Sequence, residues 1–254
     1  FDENSSDLIK INPTKVDNDK IKISFYGAGN YATASLIPLM KDSGKVSFNG
    51  LVTATGMSAQ SVAKKFDFSY CASDYKEILN DKNDVVVITT RHDTHSKAIC
   101  DALAANKNVY VEKPLALSVS ELEDIHKAYT DNAKSQIMVG FNRRFAPATN
   151  EIIQHFESVK SPLVINIRVN AGFIPADHWT QDAQEGGGRM IGEGCHFIDL
   201  ASAISKSNVK TIYAVGSSKE EKSALLNDNL CLSLTFENGS IANITYTADG
   251  SKAM

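Results

Sequence analysis

From Ile21 the chain alternates short apolar runs with glycine turns and amphipathic stretches. Ile21 to Tyr26, Val46 to Ala54, Asp84 to Thr89 and Asn108 to Val111 predict strands, and Ile137 to Phe141 predicts a further one. Between them, Tyr31 to Lys41, Ser58 to Phe66, Tyr75 to Leu79, His95 to Ala105 and Ser118 to Asn132 carry apolar residues at the spacing of one helix face. Val85-Val86-Val87-Ile88 shows no polar alternation, as expected of a strand covered by helices on both sides. This rhythm predicts an α/β fold with a doubly wound parallel sheet.

After Arg144 the rhythm changes. Leu163 to Ala171 alternates like a half-buried strand, Glu193 to Ser205 reads as a helix and Val209 to Ser217 as another strand. Asn229 to Phe236 and Ser240 to Thr247 flank Asn238-Gly239, a strong hairpin signal. A second, α+β domain with an open, mainly antiparallel sheet is expected. The expected division is residues 1–19 as tail or linker, 20–144 as the Rossmann-type domain and 145–254 as the α+β domain. The polar start at Phe1 and the abrupt stop of the strand pattern at Ser251 to Met254 predict a piece of a longer chain, incomplete at its C-terminal end.

Composition narrows the classes. A length of 254 residues suits two domains, and 43% hydrophobic with 22% charged residues is ordinary for a folded globular protein. A net charge of -4 leaves no global positive field for a phosphate backbone or an anionic membrane, so neither nucleic acid nor membrane is an expected partner. Apolar runs fall short of the ~18 residues that span a bilayer. Cys71, Cys100, Cys195 and Cys231 are widely spaced, a pattern that fits a reducing cytoplasm.

Gly27-Ala28-Gly29-Asn30-Tyr31-Ala32 follows a predicted strand and opens a predicted helix. The first glycine permits a tight turn, the second lets backbone approach a pyrophosphate, and Ala32 allows close packing, so Gly27, Gly29, Asn30 and Tyr31 are candidate dinucleotide contacts. An NAD-preferring site places an acid about 20 residues beyond such a turn. Here the stretch is Thr53-Ala54-Thr55-Gly56-Met57-Ser58, with Lys64 and Lys65 beyond. Thr55 and Ser58 suit a 2′-phosphate, so NADP is expected ahead of NAD.

Three further segments follow in order: Thr90-Arg91-His92-Asp93-Thr94-His95, then Val111-Glu112-Lys113-Pro114, then Gly186-Gly187-Gly188 leading to His196 and Asp199. Together with the glycine turn this set resembles the glucose-fructose oxidoreductase/inositol dehydrogenase family, Gfo/Idh/MocA, with Glu-Lys-Pro as its most specific element. Within the family the chain looks most like the module beside a zinc-alcohol-dehydrogenase-like domain in two-part polysaccharide-biosynthesis proteins. The resemblance implies reversible oxidation of a sugar, polyol or nucleotide-sugar hydroxyl and homo-oligomers built through the C-terminal sheet. It implies Lys113 as acid/base, often before a cis proline. Glu112 would bond cofactor ribose or orient Lys113, Thr90 and His95 would line the nicotinamide-ribose side, and His196 would partner the substrate hydroxyl. Many members carry an aspartate four residues before this histidine. This chain has Gly192 there, with Glu193 beside it as the candidate substitute.

Arg143 and Arg144 could grip a phosphate or carboxylate, and equally form interdomain salt bridges. His178 and Trp179 could stack on a sugar or anchor a loop, and Asp199 shares a helix face with His196. His92-Asp93-Thr94-His95 lacks a third partner at diagnostic spacing, so no metal is expected. The competing function is a dinucleotide-binding sensor or scaffold without catalysis, motivated by Gly192. Carbon-carbon reduction of a heterocycle is a third reading, against which the glycine-rich run favours a polyhydroxy substrate.

Overall fold

The apolar runs of the first half become strands of one sheet. The structure, a computed structural model, describes residues 8–12, 19–53, 56–217 and 228–250. It divides into two units, Phe1–Gly140 and Phe141–Met254. In the first, β1 (Ile9–Lys10), β2 (Ile21–Tyr26), β3 (Val46–Val52), β4 (Tyr70–Ala72), β5 (Val85–Ile88), β6 (Asn108–Val111) and β7 (Ile137–Val139) pair in the order β1-β4-β3-β2-β5-β6-β7. Neighbours are parallel except β1 with β4. The chain winds outward from β2 in both directions, which makes the β2–β5 seam the topological switch point of a Rossmann-type sheet.

Helices α1 (Ile37–Asp42), α2 (Gly56–Phe66), α3 (Lys76–Asn80), α4 (His95–Ala104) and α5 (Val119–Asp131) cover the sheet. Strand residues divide by parity between the two faces. Ile23, Phe25, Leu51 and Val87 pack with Ile37 of α1 and Ala59 and Ala63 of α2, whereas Val52, Val86, Ile88, Val109 and Val111 pack with Ile78, Ile99, Leu103 and Ile125 of the other helices. Ser118 starts α5 with a capping box: its hydroxyl accepts the Glu121 amide at 3.2 Å, and the Glu121 carboxylate accepts the Ser118 amide at 3.2 Å.

Two strands escape the periodic reading. β4 has three residues, too few to display a period. β1 lies within the stretch expected to be tail, and pairs antiparallel with β4 through Ile9 opposite Cys71. The border between the units falls at Gly140 rather than Arg144. Asn142–Phe145 forms a 3-10 turn that packs on the helix carrying His196, inside the second unit.

That second unit contains α6 (Pro147–His155), which the sequence reading did not anticipate, then β8 (Val164–Asn170), α7 (Cys195–Ser205), β9 (Val209–Gly216), β10 (Leu230–Phe236) and β11 (Ile241–Thr247). A π-helical turn, Met190–Gly194, leads into α7. The sheet order is β8-β11-β10-β9, with β8 parallel to β11 and the other pairs antiparallel. The Asn238-Gly239 turn is real, with Gly239 at φ +85°. Leu230, Leu232, Leu234, Phe236, Ala242, Ile244 and Tyr246 face Phe197 and Ala201 of α7, leaving the opposite face of the sheet exposed. Leu234→Ala, at a position 1% exposed, should cost about 2–5 kcal/mol through lost transfer energy and a residual cavity. Urea denaturation beside the outward-facing Ser233→Ala, expected near zero, measures it.

Candidate functional site

The strands flanking the switch point finish level. Tyr26, Ile88, Val111 and Val139 are successive register partners across β2, β5, β6 and β7. The next residues, Gly27, Thr89, Glu112 and Gly140, therefore form one row along the carboxyl edge. Backbone bonds continue the ladder into that row: Thr89 N–H to Tyr26 O at 2.8 Å, Glu112 N–H to Ile88 O at 2.9 Å and Gly140 N–H to Val111 O at 2.8 Å. Ligands of open α/β sheets bind at such an edge.

Gly27 has φ +102°, and a Cβ there would lie 2.6–2.8 Å from the backbone of Thr89 and Thr90. Both the dihedral and the close approach demand glycine. The Thr89 hydroxyl donates to the Gly27 carbonyl at 2.9 Å, fixing the turn to the end of β5. Gly29 is the opposite case. It is exposed and a Cβ there would meet nothing within 4 Å, so its backbone lies open at the start of the helical segment from Asn30. Asn30 and Tyr31 are exposed, and Ala32 is buried against the core. An open glycine backbone at a helix N-terminus, braced by a second glycine, fits a dinucleotide pyrophosphate. Thr55 lies outside the described residues, and Ser58 is placed only as backbone within α2.

The Lys113-Pro114 peptide is cis. His95, fully buried at the start of α4, brings Nδ1 to 2.7 Å from the Pro114 carbonyl and Nε2 to 3.3 Å from the Thr90 carbonyl. Burial, with the nearby Lys113 charge, holds its pKa below the usual imidazole range against the pull of the two carbonyls. A neutral ring donates one proton, and the shorter contact assigns it to Pro114. His95 thus latches the Thr90 loop to the backbone after Lys113; its ring does not face solvent. The Thr90 and Thr94 hydroxyls are 2.5 Å apart in the same loop. Glu112, half-buried, accepts from the Tyr110 hydroxyl at 2.9 Å. Among the described residues no group of three or more His, Cys, Asp or Glu side chains is arranged to hold a metal ion.

In the second unit His196 is buried on α7, with its ring edge-on to Phe141 at 6.0 Å. Asp199 and Arg144, both expected as substrate contacts, are paired with each other: the Arg144 Nε donates to Oδ2 at 2.9 Å and a terminal nitrogen donates to Oδ1. The bidentate pair clamps the Asn142–Phe145 turn to α7. Arg143 stacks over the Phe197 ring at 4.7 Å. His178 is exposed and caps a 3-10 turn, accepting the Thr180 amide at 3.3 Å, while Trp179 is half-buried in that turn. Lys113 and His196 lie in different units.

Glu193 has a partner that sequence reasoning missed. Arg189 is 3% exposed and donates to Glu193 Oε2 at 3.0 Å, to the Tyr246 hydroxyl at 2.9 Å and to the Gly172 carbonyl at 3.0 Å. The Tyr246 hydroxyl also donates to Glu193 Oε2 at 2.6 Å. Glu193 neutralises a buried guanidinium, which sets it apart from a free catalytic carboxylate. Arg and Glu four apart on a helix were a legible signal; Tyr246 across the sheet was not. The glycine run before Arg189 also has a backbone reason. Gly187 and Gly188 have φ of +76° and +78°, and a Cβ on Gly186 would meet the Thr180 backbone at 2.4 Å.

His95 carries a pH signature. Its unfolded form titrates near 6.5 and its native form lower, so its contribution to stability is complete above about pH 6.5 and declines as pH falls below that, where the unfolded chain takes up the proton first. Urea midpoints measured from about pH 7.5 to about pH 5 should fall less steeply for His95→Asn than for the parent protein.

Residues 21–141 match the oxidoreductase family with an NAD-binding Rossmann fold, and residues 161–252 match the GFO/IDH/MocA C-terminal domain. The uncharacterized oxidoreductase YrbE of Bacillus subtilis is 30% identical over 196 residues, covering 73% of this chain and 55% of that protein. Inositol 2-dehydrogenase of Salmonella typhimurium is 33% identical over 144 residues, covering 55% of this chain and 41% of the enzyme. The chain thus spans about half the length of these relatives. Among solved structures, an NAD-binding protein from Listeria innocua aligns with TM-score 0.75 at 26% identity, covering 90% of this chain and 67% of the other. Aldose-aldose oxidoreductase from Caulobacter crescentus shares the fold at TM-score 0.77 and 19% identity, over 91% and 72% of the two chains. Matched across both of its units, with the glycine turn and the Glu-Lys-Pro element aligned on one sheet edge, the chain belongs to the Gfo/Idh/MocA family of oxidoreductases.

Proposed function

We propose that this chain is an NAD(P)-dependent dehydrogenase or reductase acting on a CH-OH group of a sugar, polyol or nucleotide-sugar. One observation carries the reading: Lys113 follows a strand whose end is level with the glycine turn, and the backbone after it is latched by buried His95. Gly27, Gly29, Asn30 and Tyr31 would hold the dinucleotide, with Glu112 toward a ribose. A bound nicotinamide supplies the hydride acceptor or donor. Lys113 takes the proton from the substrate hydroxyl during oxidation and returns it during reduction. The family resemblance gives His196, on α7 of the second unit, the part of a hydrogen-bonding partner for a substrate hydroxyl. The names of relatives, inositol 2-dehydrogenase and levoglucosan dehydrogenase in complex with NADH, support a polyhydroxy substrate.

NADP is proposed ahead of NAD because the Thr53 to Ser58 stretch has no carboxylate. A role in polysaccharide biosynthesis, fusion to another enzyme domain and a cytoplasmic location belong to the same proposal. So does homo-oligomerisation through the C-terminal sheet, supported by Tyr213 and Val215, which are 70% and 51% exposed on its open face. No helix among the described residues is long and apolar enough to cross a membrane.

A second reading is favoured by Gly192, which is buried beside a Glu193 committed to Arg189. It makes the chain a dinucleotide-binding sensor or scaffold. The full-length protein incubated with NAD or NADP and a panel of polyols, aldoses and nucleotide-sugars separates the two, read by absorbance of the reduced cofactor. Turnover is expected, and Lys113→Ala should lower kcat/KM about 10²–10⁴-fold with cofactor affinity retained. Cofactor binding without turnover on any member selects the sensor. NADH binding tenfold or more tighter than NADPH would reject the NADP preference.

A further inference from the structure

Beside Glu112 at the carboxyl edge stands Tyr110, to which the mechanism above gives no part. Tyr110 lies on β6, and Glu112 is the first residue beyond that strand, where the backbone ladder continues, so the two, spaced two apart, project to the same face. That face carries the glycine turn, since Tyr110 and Ala28 pack against the same core cluster. The Tyr110 hydroxyl donates to Glu112 Oε1 at 2.9 Å. Gly140, next in the row, leaves the space that the pair fills: a Cβ there would lie 2.7 Å from Glu112 Oε1 and 2.8 Å from the Tyr110 oxygen. The Lys113 amide also bonds the Glu112 carboxyl. An ionised carboxylate offers about four acceptor sites, so two donors leave capacity for a vicinal diol.

We infer that Tyr110 is a positioning residue that holds Glu112 ready to accept the hydroxyls of the nicotinamide ribose, on the β6 side of the switch point and away from β3, in a space kept open by Gly140. The inference rests on the dinucleotide reading above and names residues to which that reading gives no part. The electrostatics agree. Burial pushes the Glu112 carboxyl up toward protonation, opposed by the Tyr110 hydroxyl and by the Lys113 charge and amide. Burial, with the Glu112 charge, also keeps the Tyr110 phenol protonated and therefore a donor; Tyr31 is the other titratable group facing it. Replacing the hydroxyl removes an opposing donor, so Glu112 protonates at higher pH and accepts fewer hydroxyls as pH falls.

Binding of NADH and of ADP to the whole chain, by fluorescence and calorimetry at about pH 6 and about pH 8, tests this. Tyr110→Phe should weaken NADH about five-fold, the worth of one hydrogen bond. The loss should be larger at the lower pH and should leave ADP, which lacks the nicotinamide ribose, unchanged. Gly140→Ala should reproduce it by displacing the pair, and it carries the test if the phenylalanine variant does not fold. Glu112→Gln should bind NADH weakly with no pH dependence. Equal NADH affinity for parent and Tyr110→Phe at both pH values overturns the inference, as does an equal loss for ADP, which would mean a loosened turn. A parent protein that binds neither NADH nor NADPH rejects the dinucleotide reading itself, before any variant is compared.

Discussion

The approach of Gly27 to the end of β5 is the contact on which the rest of the first unit's site depends. No side chain fits between Gly27 and the backbone of Thr89 and Thr90. The turn can therefore close directly over the switch point, and the helical segment from Asn30 begins there. A bulkier residue would displace the turn from the row that Glu112 and Gly140 share. The same contact fixes the loop after β5, and through His95 that loop holds the backbone following Lys113. A packing constraint at one residue thus sets the relative placement of the glycine turn, the Glu112 carboxylate and the backbone that follows Lys113.

Buried polarity organises the second unit in a comparable way. Arg189 is almost fully buried, and such a charge is tolerated because Glu193, Tyr246 and the Gly172 carbonyl together satisfy it. The network ties the turn preceding α7 to β11. The Arg144–Asp199 pair ties the other side of α7 to the Asn142–Phe145 turn, which follows directly on Phe141 and its contact with the His196 ring. Several charged residues that look available in sequence are thereby committed to holding the helix that presents His196.

Legibility followed the length and chemistry of each signal. Strands buried on both faces and helices with a continuous apolar stripe were readable because their period is local. β4 was too short to show one, and β1 looked like tail because its two residues gain order only by pairing with Cys71 and Tyr70. Parallel pairing of β8 with β11 was invisible because alternation is the same in either direction. Gly27 was readable from its place after a strand. The glycine run at 186–188 suggested a substrate feature, whereas positive φ angles and contact with Thr180 account for it.

The sequence by itself determined the Rossmann-type order of elements, the glycine turn, the Glu112-Lys113-Pro114 element and the family, because these are encoded in local periods and short contiguous patterns. Only the tertiary structure decided which charged residues are committed to one another. Glu193 belongs to Arg189, Asp199 to Arg144 and Glu112 to Tyr110, and His95 is a latch with a neutral ring. A side chain's proton and charge state is set by burial and by neighbours brought from distant parts of the chain. The spacing of residues along the sequence carries no measure of either.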